Sequence, residues 1–488
     1  MPPSISMPRC VLLLLFGLTH EVAAQQPVVA QQPVDALSAD EVAAMDSIVA
    51  ANVLSTVAFL SSDELAGRQT PSSELQIASR YVACRFLGAG LEPLDDGQTY
   101  FQTHDFRVSQ PPHQPPVLTT DGGTVPVLGV LSSSSDALML TAKVMAESPA
   151  LHAEHAPCVL LDELFVRPDA ADKPATVLLT LFRRLRPLME KGTQLVLVKC
   201  DPQSPLRDVA VRLQQQPLPD RPGLQPSCAV VLIPEAFDIE ESTVTVQIEA
   251  QRRRSVPVRN VIAVLRGSDD VLRDDAILVT AHLDHIGTQA SGADDLSTTA
   301  DVDRIYNGAD DNATGVTAVL ALADAFAALP VAPRRSIVFM TFWGEEKGLL
   351  GSKAFVKTPL WPLDNVTANV NIEMVGRPEP GAQNKIWMTG WKHSNLGRLM
   401  NVGAQRVGVE VFDRQDVGEM LYLRSDNASF LTAGVIAHSF SAGSLHSDYH
   451  QVSDEWPKLN IAHMTKVIQG LFAGILHVAN SNTGPRKN

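Results

Sequence analysis

Continuous apolar runs alternate with amphipathic stretches from residue 256 onward. The runs 260–267 (NVIAVLRG), 276–284 (AILVTAHLD), 336–344 (SIVFMTFWG), 369–375 (NVNIEMV) and 385–391 (KIWMTGW) are short and mostly rich in β-branched or aromatic residues, and they predict strands. Between and after them, 313–329 and 461–479 carry apolar residues at helical spacing and predict helices. Strands that are apolar throughout, separated by amphipathic helices, predict an α/β fold. Its mixed, mostly parallel sheet is covered by helices on both faces. In such folds ligands collect at the carboxyl ends of strands.

The pattern differs upstream. Ser38 and Glu41 have capping-box spacing, and Val42, Met45, Ile48, Val53, Val57 and Leu60 keep a roughly helical period. A loop and a second amphipathic helix follow, ending near LGAG. The proline-rich SQPPHQPP (109–116) marks a boundary. Beyond it lie strand candidates at 195–200, 228–234 and 242–250, with no cluster of catalytic residue types. This segment, 109–255, reads as an inserted, β-rich accessory domain. Residues 37–108 are then the N-terminal part of the domain that resumes at 256 and runs to 488. No internal repeat is evident.

The first residues change the picture of where the protein resides. Arg9, the apolar Val11 to Leu18 and the small residues before Ala24 form a secretory leader, too short to span a bilayer. Residues 1–24 are set apart as a signal peptide and 25–36 as a linker. The mature chain is expected to be exported, periplasmic or extracellular, with no membrane span. Four cysteines remain, Cys84, Cys158, Cys200 and Cys228, without the spacing of a disulfide framework or a cysteine zinc site. A net charge of −15 argues against nucleic acid as a partner.

Five polar clusters adjoin apolar runs: AHLDHIG (281–287), NGADDNATG (307–315), GEEKG (344–348), NIEMVGR (371–377) and HSDYHQVSD (446–454). Each alone has an ordinary reading. A lone histidine is usually a surface or core residue, and an aspartate before a helix is a common cap. Glu373 inside an apolar strand is less ordinary, because a buried carboxylate is costly unless paired or bound to metal. Adjacent glutamates at 345 and 346 repel each other. Two histidines with several carboxylates and no cysteine match the nitrogen and oxygen donors of a catalytic zinc site. A bridging carboxylate, with one histidine and one further carboxylate per ion, would hold two ions.

These motifs, in this order, resemble peptidase family M28, the co-catalytic zinc peptidases that include bacterial leucyl aminopeptidases and the glutamate carboxypeptidase II branch. The likeness covers about 256–488 and extends to DELAGR…YFQTHDF in 39–107. It implies the zinc exopeptidase fold, two zinc ions and a peptide substrate, with terminal peptide bonds cut most often from the amino end. It implies that His282 and Glu373 bind the first metal, that Glu346 and His450 bind the second, and that Asp310 bridges them. Asp284 would orient His282, and Glu345 would be the general base. Tyr449 resembles the tyrosine that donates to the oxyanion in the carboxypeptidase branch, with simple packing as the alternative. Arg377 is a candidate for gripping a substrate carboxylate, or else for a structural ion pair. His285 and His446 flank ligands. Two departures stand out. Glu373 replaces the aspartate of many aminopeptidases in the family, which leaves carboxypeptidase, deacylase or glutaminyl cyclase-like activity open, and a non-catalytic binding module remains the alternative of another class. Asn427 stands where exported relatives often have histidine, so Asp426 reads as a helix-start residue. The insert is similar in place to the protease-associated domain of exported members, or else is a family-specific insertion. The glycosylation tripeptides begin at Asn312, Asn365 and Asn427.

Overall fold

The computed structural model describes residues 36–94, 99–110, 116–132, 137–146, 156–162, 181, 183, 185–204, 206–207, 209–210, 218–219, 228–250, 252–288, 303–415, 417–443 and 445–488. The leader at 1–24, and all of the linker but Ala36, lie outside them. Leu37–Asn488 form one compact unit.

Its main sheet is built from β1 (Phe101–Gln110), β2 (Arg252–Leu265), β3 (Ala276–His282), β4 (Ser336–Phe342), β5 (Val366–Ile372), β6 (Lys385–Met388), β7 (Glu410–Asp413) and β8 (Ala437–Ser441). The order across the sheet is β7-β6-β8-β5-β3-β4-β2-β1, with the two-residue strands Leu218–Pro219 beside β1 and Glu92–Pro93 beside β2. The centre is parallel: β3 pairs with β4 and β5, and β5 with β8. On the flanks β2 runs antiparallel to β4 and β1, and β6 antiparallel to β8. Alternate residues of one strand serve opposite faces. Ile337 and Phe339 of β4 enter one core, and Val338, Met340 and Phe342 enter the other.

Helices cover both faces. The first core is shared with α1 (Ala39–Asp46), α2 (Ala50–Leu60), α3 (Ser73–Gly88), α4 (Gly315–Ala327), α6 (Leu396–Gln405) and α8 (Ile461–Asn480), and the second with α5 (Leu350–Lys357) and α7 (Asn427–Thr432). The capping box forms, with Ser38 Oγ accepting from Glu41 N and Ser38 N donating to Glu41. The apolar period at 42–60 is carried by two helices rather than one. The chain breaks after Asp46 and restarts at Ala50. Among the described residues α8 alone is long and apolar enough to cross a bilayer, and it packs into the first core.

The segment between β1 and β2 has a sheet of its own, with described strands from Val117 to Ile248 and apolar clusters on both faces. Its ends leave from neighbouring points, since Gln110 pairs with Arg252. An insertion whose ends meet disturbs its host sheet little. Cys84, Cys158, Cys200 and Cys228 are all free thiols.

Candidate metal centre

The parallel centre of the sheet brings three strand ends together. His282 is the last residue of β3 and is level with Phe342, the last of β4. Glu345 and Glu346 follow β4, and Glu373 follows β5. The loop before α4 and the turn that carries His450 complete the group.

The loop needs its glycines. At Gly308 (φ 56°) a Cβ would lie 2.4 Å from the His285 ring, and at Gly315 it would meet Asn312 Oδ1 at 2.3 Å. Asn312 ties the loop to the end of β5, donating to Ile372 O at 2.9 Å and accepting from Met374 N at 3.2 Å. It is buried, as is Asn427, whose amide donates to Tyr422 O at 2.8 Å, so neither offers a glycan site.

Asp311, not Asp310, lies between the two halves of the cluster. Its Oδ1 is 3.2 Å from His282 Nε2, and its Oδ2 is 3.1 Å from His450 Nε2. His282 Nε2 is also 3.3 Å from Glu373 Oε2, and His450 Nε2 is 3.5 Å from Glu346 Oε2. Two ligands on a tetrahedral zinc ion with bonds near 2.0–2.1 Å stand about 3.3 Å apart. These four spacings, on nitrogen and carboxylate donors without cysteine, therefore fit an ion on each side of Asp311.

His285 is buried on the same side, with Nδ1 at 2.8 Å from Glu346 Oε1 and 3.9 Å from Asp311 Oδ2. The first distance is a hydrogen bond. The second is wider than the tetrahedral spacing, although donors on one ion can stand up to about 4 Å apart, so His285, Asp311 and Glu346 also form a candidate ligand group. His450 is the better fit to the second ion, and His285 orients Glu346. His450 sits at φ 58°, a backbone conformation that a non-glycine residue adopts only where its surroundings hold it.

Asp310 does other work. Oδ1 accepts from Gly376 N at 2.8 Å, and Oδ2 is 3.2 Å from His446 Nε2. The helical turn Ala309–Thr314 kinks at Asp311 (φ −109°, ψ 94°), and the two neighbouring carboxylates meet different partners. The backbone amides of both donate to the Asp454 carboxylate at 3.0–3.1 Å.

Asp284 also differs from its expected role. His282 Nδ1 donates to the backbone carbonyl of Asp284 at 3.0 Å, not to its carboxylate. The carboxylate accepts from Thr70 Oγ1 and from Glu345 N, each at 3.0 Å, and so fixes the backbone of the candidate base. Arg377 is held by Asp448 at 2.5 Å and by His446 at 3.2 Å, and it does not line the cavity above the centre. It is a structural ion pair. Asp426 makes no side-chain cap to α7. It accepts from Ser352 Oγ at 2.5 Å, and burial raises its carboxyl to about 7.

Glu345 and Tyr449 line the cavity with His282, Asp311, Glu346 and Glu373. Burial pushes the Glu345 carboxyl well above the usual range; His282 opposes this, while Asp426, Glu346 and Glu373 add to it. Tyr449 stacks on His450 with ring centroids 3.9 Å apart. Burial, with Asp311 and Glu346 nearby, raises its phenol, so it stays protonated.

The residues that position the centre were not legible as such, even where they lie within the quoted motifs, as Arg68 does in DELAGR and Asn371 in NIEMVGR. Arg68 is fully buried and spends its guanidinium on backbone carbonyls of Leu283, Asn307 and Gly308 at 2.8–3.0 Å, with Leu60 O a further acceptor. It joins the loops that carry His282 and Asp311 to the N-terminal part of the chain. Burial lowers its pKa to about 10, still cationic at neutral pH. Glu373 is held by Asn371 at 2.9 Å and by Ser425 at 2.5 Å.

The sequence profile of peptidase family M28 matches residues 260–474. Two fungal proteins, each described as a probable zinc metalloprotease, are similar over part of the chain. The one from Phaeosphaeria nodorum is 33% identical over 129 residues, covering 25% of this chain and 24% of the relative. The one from Pyrenophora teres f. teres is 36% identical over 121 residues, covering 25% and 23%. The chain thus matches about a quarter of the length of these relatives. The fold is similar to that of an aminopeptidase from Aneurinibacillus sp. strain AM-1, with a TM-score of 0.54, 17% identity, and 89% and 95% of the two chains covered. It is also similar to a zinc aminopeptidase from Bacillus subtilis, with a TM-score of 0.51, 16% identity, and 87% and 94% covered.

Proposed function

Residues 260–474 belong to peptidase family M28, a family of zinc metallopeptidases, and from that premise we propose that the protein is an exported two-zinc exopeptidase that removes residues from the amino end of peptides. The observation that carries this reading is Asp311, with one carboxylate oxygen turned to His282 and the other to His450. His282 and Glu373 would hold one ion, His450 and Glu346 the other, and Asp311 both. When bound, two zinc ions supply Lewis acidity that polarises the scissile carbonyl and acidifies water.

The chain's own groups do the rest. Glu345, a carboxylate with raised proton affinity that lines the cavity, takes the proton of the attacking water and passes it to the leaving amine nitrogen. Asp284 and Thr70 keep it in reach, because Asp284 holds the Glu345 amide. Tyr449 donates its phenolic proton in a hydrogen bond to the oxyanion. The leader at 1–24 supports export. Glu373 supports the second reading, a carboxypeptidase or deacylase on the same scaffold.

The test is metal analysis with a peptide panel. Two zinc ions per chain and release of amino-terminal residues are expected, with Asp311→Asn losing metal and more activity than the 10–100-fold typical of removing an outer partner. Asp310→Asn is expected to retain both ions. Retention of both ions by Asp311→Asn would overturn the bridging assignment. Cleavage restricted to the carboxyl end would favour the second reading.

A further inference from the structure

The cavity over the centre has a volume of about 420 Å³. Beyond the acidic and histidine groups its lining is part apolar, with Trp387, Val417, Leu421 and Leu445, and part cationic, with Arg414 and Arg424. The two arginines differ. Arg414 is engaged: its Nη1 is 2.5 Å from Glu379 Oε1, and its guanidinium lies 5.4 Å from the Trp387 ring centre. That pair also removes Glu379 as a free receptor for a substrate ammonium. Arg424 is exposed and, among the described residues, has no acidic or aromatic partner.

Arg424 is anchored where it bears on the reaction. Its amide donates to Leu421 O at 3.1 Å, and the next residue, Ser425, donates to Glu373 Oε1 at 2.5 Å while accepting from Asn371 at 3.0 Å. Arg424 thus belongs to a turn fastened to Glu373, the carboxylate proposed to hold the first ion, and both residues line the cavity. A residue of extended peptide spans at most about 3.6 Å, so a group it holds lies within a residue or two of the bond to be cut. A planar, permanently charged fork selects a carboxylate, which it binds through two parallel hydrogen bonds.

We propose that Arg424 is the specificity residue of this site and that the substrates are short peptides presenting a carboxylate to it. The carboxylate is either an acidic side chain next to the scissile bond or the free carboxyl end of a di- or tripeptide. The proposal rests on the exopeptidase reading for its substrates but not for its measurement.

Two arms separate the sources. Leu-Ala against Leu-Ala-amide reports the terminal carboxylate, and Leu-Glu-amide against Leu-Gln-amide reports the side chain. In the wild type, kcat/KM is expected to favour the charged member of at least one pair by about tenfold, mostly through KM, the lower end for a hydrogen bond to a charged group. Arg424→Ala brings that ratio close to one, and Arg424→Lys restores part of it. Calorimetric binding of the same peptides to Glu345→Gln, and to that variant combined with Arg424→Ala, should show the same ratio and its loss. Equal treatment of both members by the wild type, or a ratio that survives Arg424→Ala, overturns the proposal. If no peptide is hydrolysed, the exopeptidase reading falls, while the binding ratio still decides the role of Arg424.

Discussion

The two sheets of this molecule bury different things. In the described part of the inserted sheet the core is apolar: Val159, Val196, Val198, Val230 and Leu232 pack on one face, and Leu160, Leu195, Leu197 and Val231 on the other. Thr193 and Ser204 are its buried polar residues among those described. The main sheet has equally dry cores, yet its central strands also bury a chain of polar side chains. Asn369 donates to Thr280, Thr280 to Asn371, Asn371 to Glu373 and Ser439, and Ser439 to Asn427. A buried amide or hydroxyl stabilises little more than it costs, and only when fully partnered. The described part of the inserted sheet has no such chain of polar side chains. In the main sheet they end on Glu373, the carboxylate proposed to hold the first ion. Among the described residues, buried polarity in central strands thus separates the two sheets, where apolar content does not.

Experiments can break that contrast. The largest effect is expected for Glu345→Gln, which lowers kcat by about 10²–10⁴-fold while leaving zinc content unchanged. Parallel loss of zinc would mean that Glu345 is a ligand rather than the base. In the inserted sheet, Leu197→Ala is expected to cost about 2–5 kcal/mol of stability in denaturant melts, with kcat of the folded protein little changed. An equal loss of kcat would show that the insert shapes the centre.

Acid should act on the main sheet first. His438 is buried between Ser394 and Thr389, and burial lowers its pKa to about 4. The unfolded chain binds its proton near pH 6.5 and the folded chain only near 4. Its contribution is thus fully present above about 6.5 and is lost as pH falls towards 4, by about 3 kcal/mol. His438→Gln should flatten that part of the stability profile, and an unchanged slope would exclude His438 as its source.

Smaller effects are expected from the supports of the centre. Asn371→Ala and Arg68→Ala should each weaken zinc binding about 10–100-fold, read as chelator sensitivity. Added guanidinium should rescue the arginine variant but not the asparagine variant. Unchanged zinc affinity in both variants would leave both residues a purely structural part.

Much of this was legible along the chain, because chemistry that needs charged groups beside apolar strands leaves a local trace. The strand ends that carry His282, Glu346 and Glu373 stand out since a carboxylate or imidazole interrupts an apolar run. The choice between Asp310 and Asp311 did not, because both sit in one loop of identical composition and only the backbone path decides which points inward. Asp284 was recognisable as a partner of His282, but whether its carbonyl or its carboxylate served depended on where Glu345 N and Thr70 arrived. Arg377 and Arg424 are alike as letters. The partner Asp448, 71 residues from Arg377, takes one out of the cavity and leaves the other facing it.

The sequence by itself determined the alternation of strands and helices, the break at 109–116 and the residue types gathered around a metal, because periodicity and local charge are properties of neighbouring residues. Only the tertiary structure decided which of the paired acids enters the centre, that Arg68 clamps its loops from more than 200 positions away, and which arginine lines the cavity. Those outcomes depend on contacts between distant segments, where a few tenths of an ångström and one competing partner settle what a side chain does.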